Sequence, residues 1–150
     1  MTIGDIFQNP ILMPAFLAWM VAQASKVPVE WARRRRLDLG LWVSAGGMPS
    51  SHAALVSAMA TAVGLREGLT STAFAISAIV ALIVMYDAAG VRRAASIQAR
   101  LLNQILEEVF AGRPLSEQRL KELIGHTPME VFVGALLGVG IAWLWWQLAP

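Results

Sequence analysis

Apolar residues gather into four runs, at about 10–24, 51–65, 69–87 and 128–148, and most of the charge falls between them, in 26–50 and 92–124. A bilayer core is crossed by about 20 apolar residues in a helix. The third run, ending in IVALIVMYD, matches that requirement best. The fourth ends in Trp143, Trp145 and Trp146, the side chains expected where a span meets the headgroups. The first carries Pro14 near its start, a position a membrane helix tolerates. The second, SHAALVSAMATAVG, is short and rich in small residues. It is expected inside the bundle, because Ala, Gly and Ser let helix backbones approach closely in lipid, with Ser50 or Ser51 as its N-cap. Between 26 and 50 the charges and the Gly46–Gly47 pair predict a polar loop or half-buried turn. From 92 to 110, Ala95, Leu101, Leu102, Ile105, Leu106 and Val109 recur at helical spacing among polar residues, which predicts an amphipathic helix lying at the membrane surface. Gly112, Pro114 and Ser116 end it, and a short second helix is expected at 117–124. The predicted fold is an all-α integral membrane bundle: one domain, about four spans, one or two amphipathic surface helices.

Composition agrees with a lipid solvent, at 57% hydrophobic residues and a mean hydropathy of +0.58. With no cysteine, disulfides, thiolate metal sites and cysteine nucleophiles are excluded. Two histidines are too few for a histidine-rich metal cluster. The net charge is only +2, so no nucleic-acid partner is expected and the distribution of charge matters more than its sum. In the four-span layout Lys26, Arg33 to Arg36, Arg92, Arg93, Arg100, Arg113, Arg119 and Lys121 share one side, and only Arg66 lies on the other. The positive-inside rule places the basic side in the cytoplasm and both termini opposite. Bases that bind phosphate would mimic the same signal.

Three clusters meet on that basic side: Lys26 with Arg33, the stretch GGMPSSH at 46–52, and GHTPMEV at 125–131. Glycine, proline and two serines at a helix start offer backbone N–H groups, hydroxyls and the positive end of a helix dipole, a common way to hold phosphate. His52 projects from the first turn of that helix. His126 stands just before the last span, with Glu130 four residues on. Two histidines, a carboxylate and several cations make up a phosphoryl-transfer set.

PSSH resembles the PSGH motif of the type 2 phosphatidic-acid phosphatase and vanadium haloperoxidase superfamily. Lys26 and Arg33 keep the lysine, six residues, arginine spacing of its first motif, with Arg34 where a proline usually follows. HTPMEVFVGALLG resembles its third motif. With YDAAGVRRAASIQA at 86–99, the whole chain resembles a divergent branch of about 150-residue membrane proteins in that superfamily. The resemblance implies that His126 is the nucleophile, that Glu130 orients it in the place of an aspartate, and that His52 is the general acid. It further implies that Lys26, Arg33 and Ser50 hold phosphate oxygens, with Ser51 contributing its backbone amide where glycine is usual. The superfamily's reaction needs no metal. The arginine expected six residues before the third-motif histidine is replaced by Leu120, so Arg92 or Arg93 is expected to supply that cation, with 100–125 as an insertion. Asp87 has no counterpart there. It either orients an arginine or signals a divalent cation or different chemistry in this branch, so no cofactor is expected while a divalent cation stays open.

Structural readings stand beside these. Ser50 and Ser51 are also what a helix cap needs, Arg33 to Arg36 also suit a topology signal or a grip on anionic headgroups, and Asp87 is also served by an ion pair with Arg92 or Arg93. The leading expectation is hydrolysis of a phosphomonoester or pyrophosphate on a lipid such as phosphatidic acid, phosphatidylglycerol phosphate or an isoprenoid phosphate. A non-catalytic protein binding phospholipid or another anion is the first alternative. A lipid transporter is the second, and it would need a homo-oligomer because four short helices are few for transport.

Overall fold

The computed structural model describes residues 3–35, 37, 39–42, 46–109 and 126–149, with side chains for all of these except 3, 34, 91–97, 99, 100, 104 and 106–109. Regular structure among the described residues is entirely helical. The helices are α1 (Leu12–Arg34), α2 (Ser51–Glu67), α3 (Thr72–Val109) and α4 (Pro128–Leu148), with short 3-10 segments at Ile3–Gln8 and Leu39–Trp42. Three of them hold stretches long and apolar enough to cross a membrane: Leu12–Arg33, Thr72–Gly90 and Pro128–Leu148. The expected fourth span corresponds to α2, whose 17 residues reach about 25 Å at 1.5 Å per residue. It is the centre of the bundle, packed on α1, α3 and α4.

Small residues explain that position. Ala53, Ala54, Val56, Ser57, Ala58, Ala62, Val63 and Gly64 of α2 are all buried, so the helix presents no broad lipid face. Ala54, Ala58 and Ala62 recur one turn apart and pack with Ala18 and Ala22 of α1 and Ala142 of α4. On α4, Gly134, Gly138 and Ala142 continue the seam. A Cβ on Gly138 would collide with the Ala54 carbonyl oxygen and with Ser57 Oγ, so the two backbones are in direct contact there. Ser57 Oγ lies 3.0 Å from the Ala135 carbonyl of α4 and 3.2 Å from the Ala54 carbonyl of its own helix. Its single proton is shared between them. In lipid such close packing replaces the hydrophobic driving force that water would supply.

Two expectations are corrected. Lys26 and Arg33 do not lie in a loop, because α1 continues through Pro28 to Arg34 and ends with Arg35 in the left-handed region at φ 54°. The residues after Ala24 include Lys, Glu, Ala and Arg, good helix formers that carry the helix past the proline. The amphipathic segment after the third span is not a separate surface helix either. α3 runs unbroken over 38 residues. No proline interrupts it, and one glycine, Gly90, costs only about 1 kcal/mol relative to alanine. The second short helix expected at 117–124 lies outside the described residues.

Candidate functional site

Chain direction brings the three motifs to one end of the bundle. Pro10, Ala62, Arg66, Ala142 and Trp145 meet at the opposite end, so α1 finishes, and α2 and α4 begin, on the same side. Two helix N-termini therefore point at one region, each with a partial positive charge of about half a unit.

Lys26 and Arg33 are two helical turns apart on α1 and so share a face. Lys26 is only 1% exposed. Its aliphatic stem runs beneath the loop before α2, where a Cβ on Gly47 would lie 3.7 Å from Lys26 Cδ. Gly47 itself takes φ +92°, a conformation open to glycine, and the following Met48–Pro49 peptide is cis. Arg33 is exposed, with Nη1 3.5 Å from Met48 Sδ. Its charge also acts on the Glu130 carboxylate. The first motif thus meets the second at both its ends, Lys26 near Gly47 and Arg33 at Met48.

Ser50 fastens the second motif to the third. It is fully buried, its N–H donates to the Glu130 carbonyl at 3.0 Å, and its Oγ accepts from the Ala53 N–H at 3.4 Å as the N-cap of α2. A Cβ on Gly134 would strike the Ser50 carbonyl oxygen, so glycine at 134 is what lets α4 lie against this turn. Ser51 is 2% exposed, whereas His52 is exposed on the first turn.

His126 is 3% exposed. Its Nδ1 lies 3.1 Å from Glu130 Oε2. A carboxylate only accepts, so Nδ1 carries a proton, and in the neutral imidazole Nε2 then presents its lone pair. The same Oε2 accepts the Thr127 N–H at 3.0 Å, and Thr127 Oγ1 accepts the Glu130 N–H at 3.3 Å, closing a capping box. One carboxylate thereby starts α4 and fixes the imidazole. His126 Nε2 is buried and has no hydrogen-bond partner among the described residues. Leaving a buried polar atom unsatisfied costs about 1–3 kcal/mol.

The poles of the two N-termini differ. Glu130 sits in the first turn of α4 and offsets its positive end, while the first turn of α2 has no acidic residue. The start of α2 is therefore the more positive of the two poles. Among the described residues no three His, Cys, Asp or Glu side chains are grouped to hold a metal ion.

Of the residues singled out in the sequence, Lys26, Arg33, Ser50, Ser51, His126 and Glu130 are gathered by these contacts, and His52 stands on the same turn as Ser51. Asp87 is exposed near the end of the α3 span. Arg92 and Arg93 follow it on α3, and their side chains lie outside those described, as do Leu120, Arg119 and Lys121. Sequence reasoning missed Met48, which meets Arg33, and the seam formed by Gly134 and Gly138. The G-x-x-x-G spacing of that pair was the available signal for the seam; Met48 had none.

Comparison with known proteins bears on the family of the chain. The chain is 42% identical over 146 residues to the uncharacterized membrane protein YuiD of Bacillus subtilis strain 168, covering 90% of this chain and 92% of that one. No solved structure matches it. The family model described as the Divergent PAP2 family matches residues 7–141, which takes in all three motifs. The chain is therefore a membrane protein belonging to the Divergent PAP2 family.

Proposed function

We propose that the protein is a lipid phosphate phosphatase working through a phosphohistidine. The observation that carries this reading is the buried His126, held at Nδ1 by Glu130 with Nε2 unpartnered, at the start of α4 that Ser50 ties to the start of α2. Lys26, Arg33 and the backbone amide of Ser51 take the non-bridging phosphate oxygens, and Ser50 holds the turn. Arg92 and Arg93 add charge from the end of the α3 span. Nε2 donates its lone pair to phosphorus as the P–O bond to the lipid breaks, and His52 protonates the departing alkoxide. His52 then takes a proton from water, which attacks phosphorus. The P–N bond breaks, phosphate leaves and His126 is restored. Glu130 stabilises the positive charge on the imidazole at both stages. His52, being exposed, exchanges its proton with solvent between turnovers.

The excess of Lys and Arg on this side supports a cytoplasmic face for the site. The test is inorganic phosphate release from a panel of lipid phosphates by the detergent-solubilised chain, with and without chelator. Release that survives chelation and disappears in His126→Ala supports the histidine mechanism. No release from any lipid by folded protein would leave an anion-binding membrane module in its place.

A further inference from the structure

α3 packs on α2 and barely touches α4. The separation leaves a groove of about 750 Å³ whose walls include Leu82, Ile83 and Asp87 of α3 and Pro128, Phe132 and Ala135 of α4. Resting on the phosphatase reading above, we propose that this groove seats the hydrocarbon chain of the lipid whose phosphate reaches His126.

Both walls belong to stretches long and apolar enough to cross a membrane, which directs the groove sideways into the hydrocarbon layer. Water there would face almost wholly apolar walls, and a lipid chain is the species present in excess that fits them. The groove also has a direction. Asp87 and Pro128 mark one end, and Pro128 follows His126 by two residues. Leu82 and Ala135 mark the other, about 8–10 Å deeper at 1.5 Å per residue. Its polar end is thus level with the site and its apolar end points to the bilayer centre, the orientation of a lipid with its phosphate at His126. Val131 lines the groove and packs with Ala53 of α2 and Ala88 of α3. A single layer of side chains therefore separates the groove from the first turn of α2. The opening is lateral, so the substrate moves in from the leaflet without leaving it.

A phosphonate analogue of phosphatidic acid, whose P–C bond resists hydrolysis, carrying a photoreactive diazirine midway along one acyl chain, tests the seat without requiring turnover. In phosphatidylcholine vesicles the label is expected to concentrate at Leu82, Ile83 and Phe132 over Ile76, an equally exposed residue elsewhere on α3, and to be displaced by unlabelled dioctanoyl phosphatidic acid. Equal labelling of Ile76, or covalent dimers through the groove in place of lipid adducts, overturns the proposal. Ile83→Trp and Phe132→Trp fill the groove from exposed positions. They are expected to lower kcat/KM for phosphatidic acid about tenfold relative to glycerol 3-phosphate, as a change of one or two methylenes in an apolar pocket does. Ile76→Trp is expected to leave that ratio alone. An unchanged ratio in the groove variants rejects the seat while the phosphatase reading stands. Absence of phosphate release from the native chain, with labelling still concentrated in the groove, rejects the reaction and keeps the seat.

Discussion

Replacing Gly134 with alanine tests whether the site depends on direct backbone contact between α2 and α4. The new Cβ would lie within collision distance of the Ser50 carbonyl oxygen and 3.1 Å from both Ser50 C and Ser50 N. None of these atoms can swing aside, because Ser50 is fully buried and its N–H is bound to the Glu130 carbonyl at 3.0 Å. The helices must part by roughly 1 Å, since non-bonded carbons settle near 3.5–4.0 Å. Overpacking of this kind costs about 1–3 kcal/mol. A broken Ser50 to Glu130 hydrogen bond adds about 1 kcal/mol. The expected loss of about 2–4 kcal/mol corresponds to a fall in Tm of roughly 5–15 °C for a chain of this size. Thermal unfolding in detergent, followed by circular dichroism, measures it. Gly140→Ala is the control: nothing lies within 4 Å of its Cβ, and the helix should gain up to about 1 kcal/mol from better propensity. A Gly134→Ala protein as stable as Gly140→Ala, with phosphate release intact, would refute the backbone-contact account.

Glu130→Gln keeps the size of the side chain but removes the charge that stabilises an imidazolium at His126. Phosphate release should fall by about 10²–10⁴, the usual share of one acid-base group, while the unfolding temperature moves little; single-turnover kinetics separates the two effects. Lys26→Met preserves most of the buried stem and deletes the ammonium. Competitive inhibition by inorganic phosphate should weaken at least about tenfold, given about 1.5–3 kcal/mol for a hydrogen bond to a charged group. Ser57→Ala removes the interhelical donor to Ala135 and should cost about 0.6 kcal/mol, the average for such bonds in membrane proteins, as read from detergent unfolding. The native chain has no cysteine, so orientation can be tested with Leu37→Cys and Glu67→Cys, both at exposed positions. In intact cells a membrane-impermeant maleimide should label position 67 and spare position 37. The reverse pattern would place the site outside the cytoplasm.

Much of this arrangement was legible in the residues. Apolar run length identified the membrane bundle, and the small-residue composition of 51–65 put α2 in its interior, because only Ala, Gly and Ser permit packing so close. The motif residues around His52 and His126 were legible as well, since helix starts carry caps and glycines with local signatures. Element boundaries were harder. Charge ends the first apolar run in the sequence, yet Lys26 is buried and Arg33 continues the same helix, a tertiary outcome that hydropathy does not encode. The continuity of α3 through Asp87 and Gly90 was missed for a related reason: polarity changes there while helix propensity does not. The touch of Arg33 on Met48 depends on how the loop folds back over α1, and no local pattern announces it.

The burial of α2 also bears on how the protein enters the membrane. Its surface faces other helices along most of its length, and it is shorter than a bilayer-crossing segment, so lipid preference alone gives it little reason to insert. Yet only Gly68 to Ser71 separate it from α3, whose membrane stretch has the highest mean hydropathy of the three at 2.0. During biogenesis α2 therefore travels as a passenger of α3, in one helical hairpin. The serine turn at the start of α2 reaches its depth through the insertion of a neighbouring helix, and weakening the apolar character of α3 would misplace the motifs at that end of the bundle.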